Sequence, residues 1–159
     1  MGCTATTAML TIHNMATWMV GEWGTSAVCE QWGKPLAAGD KLASYCLTEP
    51  GAGSDLAAIT TRCWQDEDGH WRLQGQKVWT SLAHESEWIF VIARSTPGSV
   101  GREGLSFLLV PLEQPGIEIR VPLGNAARKR ATEPTVIQNK SFKWVTNIAT
   151  RLCILRLKK

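Results

Sequence analysis

The tightest constraint on this chain lies between Ala43 and Asp55, in the run Ala-Ser-Tyr-Cys-Leu-Thr-Glu-Pro-Gly-Ala-Gly-Ser-Asp. Ser44 to Leu47 reads as a strand. Pro50, Gly51 and Gly53 follow in quick succession and admit neither a helix nor a ladder, so the strand delivers a tight loop at a fixed place. The glycines bare the loop's backbone N–H groups, and Thr48 and Ser54 put hydroxyls at its edges, so the corner offers donors to a polar, anionic group. A plainer reading is a strand exit followed by a helix cap, because Ser54 and Asp55 precede the apolar positions Leu56, Ala57 and Ile59.

The periodicity differs on the two sides of this corner. Before it, Met9, Ile12, Met15, Ala16, Met19, Val20 and Trp23 recur at steps of three and four, which predicts a helix from about Ala8 that stops at Gly24. A second helix from Ser26 to about Trp32 is expected to end at Gly33 and Pro35, giving a helical hairpin. His13 has no partner at metal-ligand spacing and reads as a satisfied interior histidine. From Thr60 the period falls to two. Thr61 to Gln65, His70 to Gly75 and Lys77 to Leu82 read as strands, with Asp66-Glu67-Asp68-Gly69 as a hairpin turn. Trp88 to Ala93 and Leu105 to Val110 are continuous apolar strands separated by Pro97, Gly98 and Gly101, and Pro115-Gly116 turns into Ile117-Glu118-Ile119. The expectation is an α+β chain: a helical hairpin over residues 1–36, an antiparallel β-sandwich or barrel over 37–123, and an irregular or short helical basic tail over 124–159. Within that tail Phe142, Val145, Ile148 and Leu152 are spaced for one short helix.

Charge is unevenly spread along the 159 residues, whose net charge is +3. Up to Ile119 there are seven basic residues against thirteen acidic ones, and from Arg120 onward ten against the single acid Glu133. The change falls where the strand pattern gives out, which suggests that the tail comes from a truncated or frame-shifted reading. Eight tryptophans against one tyrosine argue for large buried aromatic surfaces. The five cysteines, Cys3, Cys29, Cys46, Cys63 and Cys153, are odd in number, contain no C-x-x-C pair and have no histidines at ligand spacing. Neither a disulfide scaffold nor a metal site is expected, and a reducing, intracellular compartment is. The opening segment carries no charge before Glu22, yet it lacks a basic start and is broken by Thr4, Thr6, Thr7, Thr11, His13 and Asn14, so it reads as neither a signal peptide nor a membrane span.

Tyr45-Cys46-Leu47-Thr48-Glu49-Pro50-Gly51-Ala52-Gly53-Ser54-Asp55 resembles the signature of the acyl-CoA dehydrogenases, flavoenzymes that desaturate acyl thioesters. Leu73-Gln74-Gly75-Gln76-Lys77-Val78-Trp79-Thr80-Ser81 resembles a second block of that family, usually Gly-x-Lys-x-Trp-Ile-Thr or Ser, at the expected distance. Gly2 to Thr7, Ile12 to Met15, Trp18-Met19 and Ala43 to Thr48 are similar to the isobutyryl and short-branched-chain branch. Beyond Leu123 the likeness stops.

The resemblance implies the end of a helical domain followed by a middle β-domain, carrying half of a site for FAD and an acyl-CoA. Tyr45, Cys46, Leu47 and Thr48 would line the flavin, with Thr48 bonding its pyrimidine edge. Gly53 and Ser54 would flank the cofactor, and Ser54 would also meet the CoA moiety. Trp79 would pack on the ring, with Thr80 beside it and Ser81 near the hydride-accepting nitrogen. The family's glutamate base lies in a C-terminal helical region that this chain does not contain, so no residue here inherits a catalytic role, and Glu49, His84 and Glu85 are not promoted to it. The family also implies electron-transferring flavoprotein as acceptor, a homo-oligomer, no nucleic-acid or membrane partner, and a cytoplasmic or mitochondrial-matrix setting according to source. A rival from another class is a non-catalytic β-domain that binds an anionic surface or RNA through tryptophans and the basic tail.

Overall fold

The computed structural model describes residues 3–120 and the strand residues 136–139 and 155–156. The chain begins with helix α1 (Thr4–Trp23), which ends at Gly24 as the spacing predicts. Ile12, His13, Ala16 and Val20 form its buried stripe. The apolar residues Leu10, Met15, Trp18 and Trp23 lie off that stripe and stay exposed. Of the tryptophans, for which large buried aromatic surfaces were expected, Trp32, Trp71 and Trp88 pack against the core, whereas Trp18, Trp23 and Trp79 are each more than half exposed.

Gly33 and Pro35 do not end the second helical stretch. Helix α2 (Ser26–Val28) passes into a π-helical turn (Cys29–Gly33) and then into α3 (Lys34–Ala38). The N–H of Lys34 reaches back to Cys29 O, and Pro35 occupies the first turn of α3, where its missing donor costs little. The stop is Gly39, whose φ of 78° is the left-handed cap that a side chain disfavours.

Eight strands follow: β1 (Ala43–Cys46), β2 (Arg62–Gln65), β3 (Trp71–Lys77), β4 (Trp88–Arg94), β5 (Leu105–Pro111), β6 (Ile117–Arg120), β7 (Val136–Asn139) and β8 (Leu155–Arg156). The sheet runs β6-β7-β3-β2-β4-β5-β8, with β1 beside β4. The β2–β3 and β4–β5 hairpins are antiparallel as read, the first turning at Gly69 with φ 78°. The sheet is nevertheless mixed. β1 pairs with β4 in parallel from Ala43↔Trp88 to Cys46↔Val91, and β2 meets the far end of the same strand at Arg62↔Arg94. Both parallel contacts arise because the corner after β1 leaves the sheet and returns as β2 farther along β4, a crossover rather than a hairpin. The expected strand from Lys77 to Leu82 is also absent. β3 ends at Lys77, and Trp79 and Leu82 take positive φ values of 60° and 62°. The helix proposed around Phe142 to Leu152 lies outside the described residues.

Strand β4 shows why its sequence is continuously apolar. Ile89, Val91 and Ala93 point into one cluster with Cys46, Cys63, Leu73, Leu108 and Val110. Phe90 points the other way, into a cluster with Ala16, Val20, Val28, Leu36 and Leu109 from the helical layer and β5. Both faces are covered, which removes the polar alternation of a half-exposed strand. Ile117 and Ile119 of β6 pack against the first cluster, so the sheet curls until its distant strands share one interior, a half-barrel with helices on its outer face.

Candidate functional site

The corner and the tryptophan block meet. As β1 ends, Thr48 O accepts from Val78 N at 2.9 Å, and the hydroxyl of Ser44 donates to Ser81 O. The segment after β3 is thus stitched alongside β1 by bonds that are not a regular ladder, and the twist this needs falls on Trp79. A bulky side chain at φ 60° is a true outlier, and such conformations concentrate where a site holds them. Val78 and Thr80 are buried, and between them Trp79 projects outward with 56% of its surface exposed.

The corner itself is closed by reciprocal bonds between Glu49 and Ala52, at 2.9 and 3.1 Å. Its apex is open. A Cβ at Gly51 or Gly53 would meet no atom of the chain within 4 Å, and neither residue takes positive φ. The chain's own packing therefore gives no reason for the glycines, whereas a ligand drawn close to bare backbone would. Gly53 and Ser54 are exposed, and Asp55 caps a 3₁₀ turn (Leu56–Ala58) by accepting from Ala57 N at 3.0 Å, a short version of the cap the sequence suggests.

Beneath the corner lies a buried ion pair that the sequence reading passed over. Lys77 Nζ donates to Glu49 Oε1 at 2.9 Å and to Leu47 O at 3.0 Å, and both side chains are at least 96% buried. Glu49 also accepts from Thr61 N at 2.9 Å, Thr60 N at 2.8 Å and the Thr60 hydroxyl at 2.7 Å. Burial raises the Glu49 pKa, but the bonds from Thr61, Lys77 and Thr60 outweigh it and bring the group down to about 2. Burial likewise lowers the Lys77 pKa, an effect its carboxylate partner opposes. Gly75 belongs to this arrangement, since a Cβ there would collide with the Thr61 side chain. A signal was available: Leu73, Gly75 and Lys77 share the inward face of β3, and a lysine in an inward register needs a partner.

The other expected site residues divide by the alternation of β1. Tyr45 packs against the helical cluster and Leu47 against a smaller one around Ala52, Ile59 and Ile92, while Ser44 and Cys46 point to the opposite face. The side chains of Tyr45, Cys46, Leu47 and Thr48 therefore do not share one surface; what unites them is the backbone of the strand and its exit. Cys46 and Thr80 are fully buried and face each other at 3.4 Å. Burial pushes the Cys46 thiol up to about 12, against smaller lowering effects from Thr80 and Lys77, and leaves it a core group. Trp79, Ser81, Gly53 and Ser54 are the expected residues that stand exposed.

Two open clefts of several hundred Å³ are lined by described residues. One of about 400 Å³ lies between α1 and the turn after Ser81, lined by Met9, His13, Leu42, Leu82 and His84. The other, of about 470 Å³, is lined by Thr60, Arg62, Trp64 and Arg94. His13 is satisfied as expected, its Nε2 lying 2.9 Å from Leu36 O and its Nδ1 accepting from Ala43 N at 3.3 Å. His84 and Glu85 lie 3.4 Å apart on an exposed turn. Asp66, Asp68 and His70 bring ligand-type atoms within 4.8 Å of one another, but Asp66 is engaged by Arg72 and by His70 N in the β2–β3 turn. Among the described residues no helix is long and apolar enough to cross a membrane.

A family model described as acyl-CoA dehydrogenase, middle domain, matches residues 44–139. Acyl-CoA dehydrogenase IpdE1 of Mycobacterium tuberculosis is 60% identical over 73 residues, covering 46% of this chain and 19% of that protein. Mitochondrial isobutyryl-CoA dehydrogenase of Bos taurus is 39% identical over 116 residues, covering 73% and 27%. The solved structure of a probable acyl CoA dehydrogenase from Mycobacterium abscessus aligns with a TM-score of 0.79 at 26% identity, over 98% of this chain and 39% of that one. The chain thus spans well under half the length of each of these relatives.

Proposed function

This chain belongs to the acyl-CoA dehydrogenase family, and from that premise we propose that it forms the middle-domain half of a site holding FAD and an acyl-CoA, in a protein that desaturates a short or branched acyl chain between Cα and Cβ. The observation that carries the reading is the bond from Val78 N to Thr48 O. It brings the corner and the outward-turned Trp79 to one place, as gripping a flat ring requires.

The donor set fits the cofactor. Trp79 offers an exposed aromatic face for stacking, and the exposed Ser81 hydroxyl lies on the same turn, two residues on. The open apex at Gly51 and Gly53, with the Ser54 hydroxyl, presents donors to anionic oxygens of a pyrophosphate or of CoA. When bound, FAD supplies the hydride acceptor; the protein orients the ring and excludes water from one of its faces. The cleft beside this turn carries Met9, Leu42 and Leu82 as well as His13, His84 and Glu85 in its walls, and we assign the acyl chain to its apolar part. The short or branched acyl chain is favoured by the name of the bovine relative. No described residue is assigned the role of base, because His84 and Glu85 sit together on an exposed turn with no built environment to tune them.

Titration of the 159-residue chain with FAD, followed by flavin fluorescence and absorbance, tests the assignment. Saturable one-to-one binding is expected, with Trp79→Ala weakening it about tenfold, the scale of a lost stacking contact of ~1–3 kcal/mol. Binding that is unchanged in Trp79→Ala, or absent in the parent chain, refutes it.

A further inference from the structure

The Glu49–Lys77 pair is the one fully buried ion pair among the described residues, and its bonding is lopsided. The Glu49 carboxylate keeps three donors from Thr60 and Thr61 even without the lysine. What Lys77 adds that no other side chain supplies is its bond to Leu47 O. The next residue of β3's exit, Val78, bonds the next carbonyl of β1's exit, Thr48 O. Residues 77 and 78 thus clamp 47 and 48 in succession, one through a side chain and one through the backbone. On the far side of the clamp, Glu49 carries the closed turn to Ala52 and, through Thr60 and Thr61, the return of the chain into β2. Trp79 follows the clamp directly. An apolar side chain at position 77 would fill the interior beside Cys46, Leu73 and Ile117 as well as a lysine stem does, but it could not hold a carbonyl.

We infer that Lys77 is a positioning residue: through Leu47 O and Glu49 it fixes the exit of β1 and the glycine corner against the Trp79 turn, so that flavin affinity depends on its ammonium group and not only on the stability of the domain. The inference rests on the assignment of Trp79 and the corner to FAD, and it concerns a side chain that never touches the ring.

The test separates position from stability. Four chains are compared: the parent, Lys77→Met, the double variant Glu49→Gln/Lys77→Met, and Val28→Ala, which trims a buried side chain in the helical layer away from the site. Urea unfolding reads stability, FAD titration reads affinity, and amide exchange at Val78 and Ala52 reads the clamp. Lys77→Met is expected to bind FAD at least about tenfold more weakly, since small misplacements at a site are costly, and to exchange the Val78 amide faster than global unfolding accounts for. The double variant no longer buries an unpaired charge, but the amide introduced by Glu49→Gln turns an NH2 toward one of the Thr60 or Thr61 donors, so it recovers only part of the lost stability; its affinity stays low and its Val78 amide stays fast. Val28→Ala loses stability while keeping FAD affinity within about twofold of the parent, because its side chain lies in the helical layer and makes none of the bonds of the clamp. Affinity that returns with stability in the double variant, or Val78 exchange in Lys77→Met no faster than in Val28→Ala, overturns the inference. If the parent chain does not bind FAD, the flavin assignment itself fails, and exchange at Val78 and Ala52 then decides by itself whether Lys77 holds the corner.

Discussion

Falling pH should weaken the fold through the carboxylate of Glu49. In the folded chain this group is held down to about 2 from an ordinary 4.5. A depressed carboxylate pKa stabilises the fold fully above the unfolded value and loses that contribution as pH falls through the folded one, so the window runs from about 4.5 down to about 2. At 1.36 kcal/mol per unit the shift corresponds to about 3 kcal/mol, a large share of the ~5–15 kcal/mol that holds a typical domain together. Replacing Glu49 by Gln removes this contribution and leaves the Lys77 ammonium buried beside a neutral amide, at a cost of about 3–5 kcal/mol at neutral pH. Urea unfolding followed by tryptophan fluorescence, repeated from pH 7 to pH 2, should show the gap between parent and Glu49→Gln narrowing by about 3 kcal/mol across the acid window. Asp66 and Glu87 also have lowered pKa values and add to the acid slope, but they do so equally in both chains and cancel in the difference. Stability curves that stay parallel over this window would refute the claim that Glu49 is ionised and bonded as described.

Two further outcomes follow from the packing. Gly75→Ala drives a methyl group into Thr61, which also donates to Glu49, and should destabilise the chain by about 1–3 kcal/mol as an overpacked site does; a urea midpoint equal to the parent's would contradict it. The thiols of Cys46 and Cys63, both raised to about 12 by burial, should resist a thiol reagent at pH 8 in the native chain and react once it is unfolded, while the exposed Cys3 reacts in both states; mass mapping of the labelled peptides decides this.

Where each residue's role is set by its immediate neighbours, the fold was legible from the sequence. The three-to-four spacing of Ile12, Ala16 and Val20, the stop at Gly24, the turn at Gly69 and the apolar runs of β4 and β5 all carry their cause locally. The misses share a different cause. Pro35 looked like a terminator because nothing in its neighbourhood announces that a π-helical turn will place it in a first turn. Val78 to Leu82 looked like a strand because the outward turn of Trp79 is imposed by a partner thirty residues away, Thr48. The parallel pairing of β1 with β4 is a topological fact that no window of sequence contains. For the candidate site, the likeness of two short blocks nominated the residues, but it did not tell which side chains face out. Cys46 and Thr80 sit inside a motif that looks uniformly ligand-facing, and the alternation of the strand sends them to the core.

Strand β4 carries Phe90 toward the helices and Val91 toward the curled interior, back to back on adjacent residues. Among the described residues, one strand thus belongs to both layers. Heat or denaturant should therefore meet these two layers as one cooperative block rather than two that melt in turn, and the corner beside β1 shares the fate of that block.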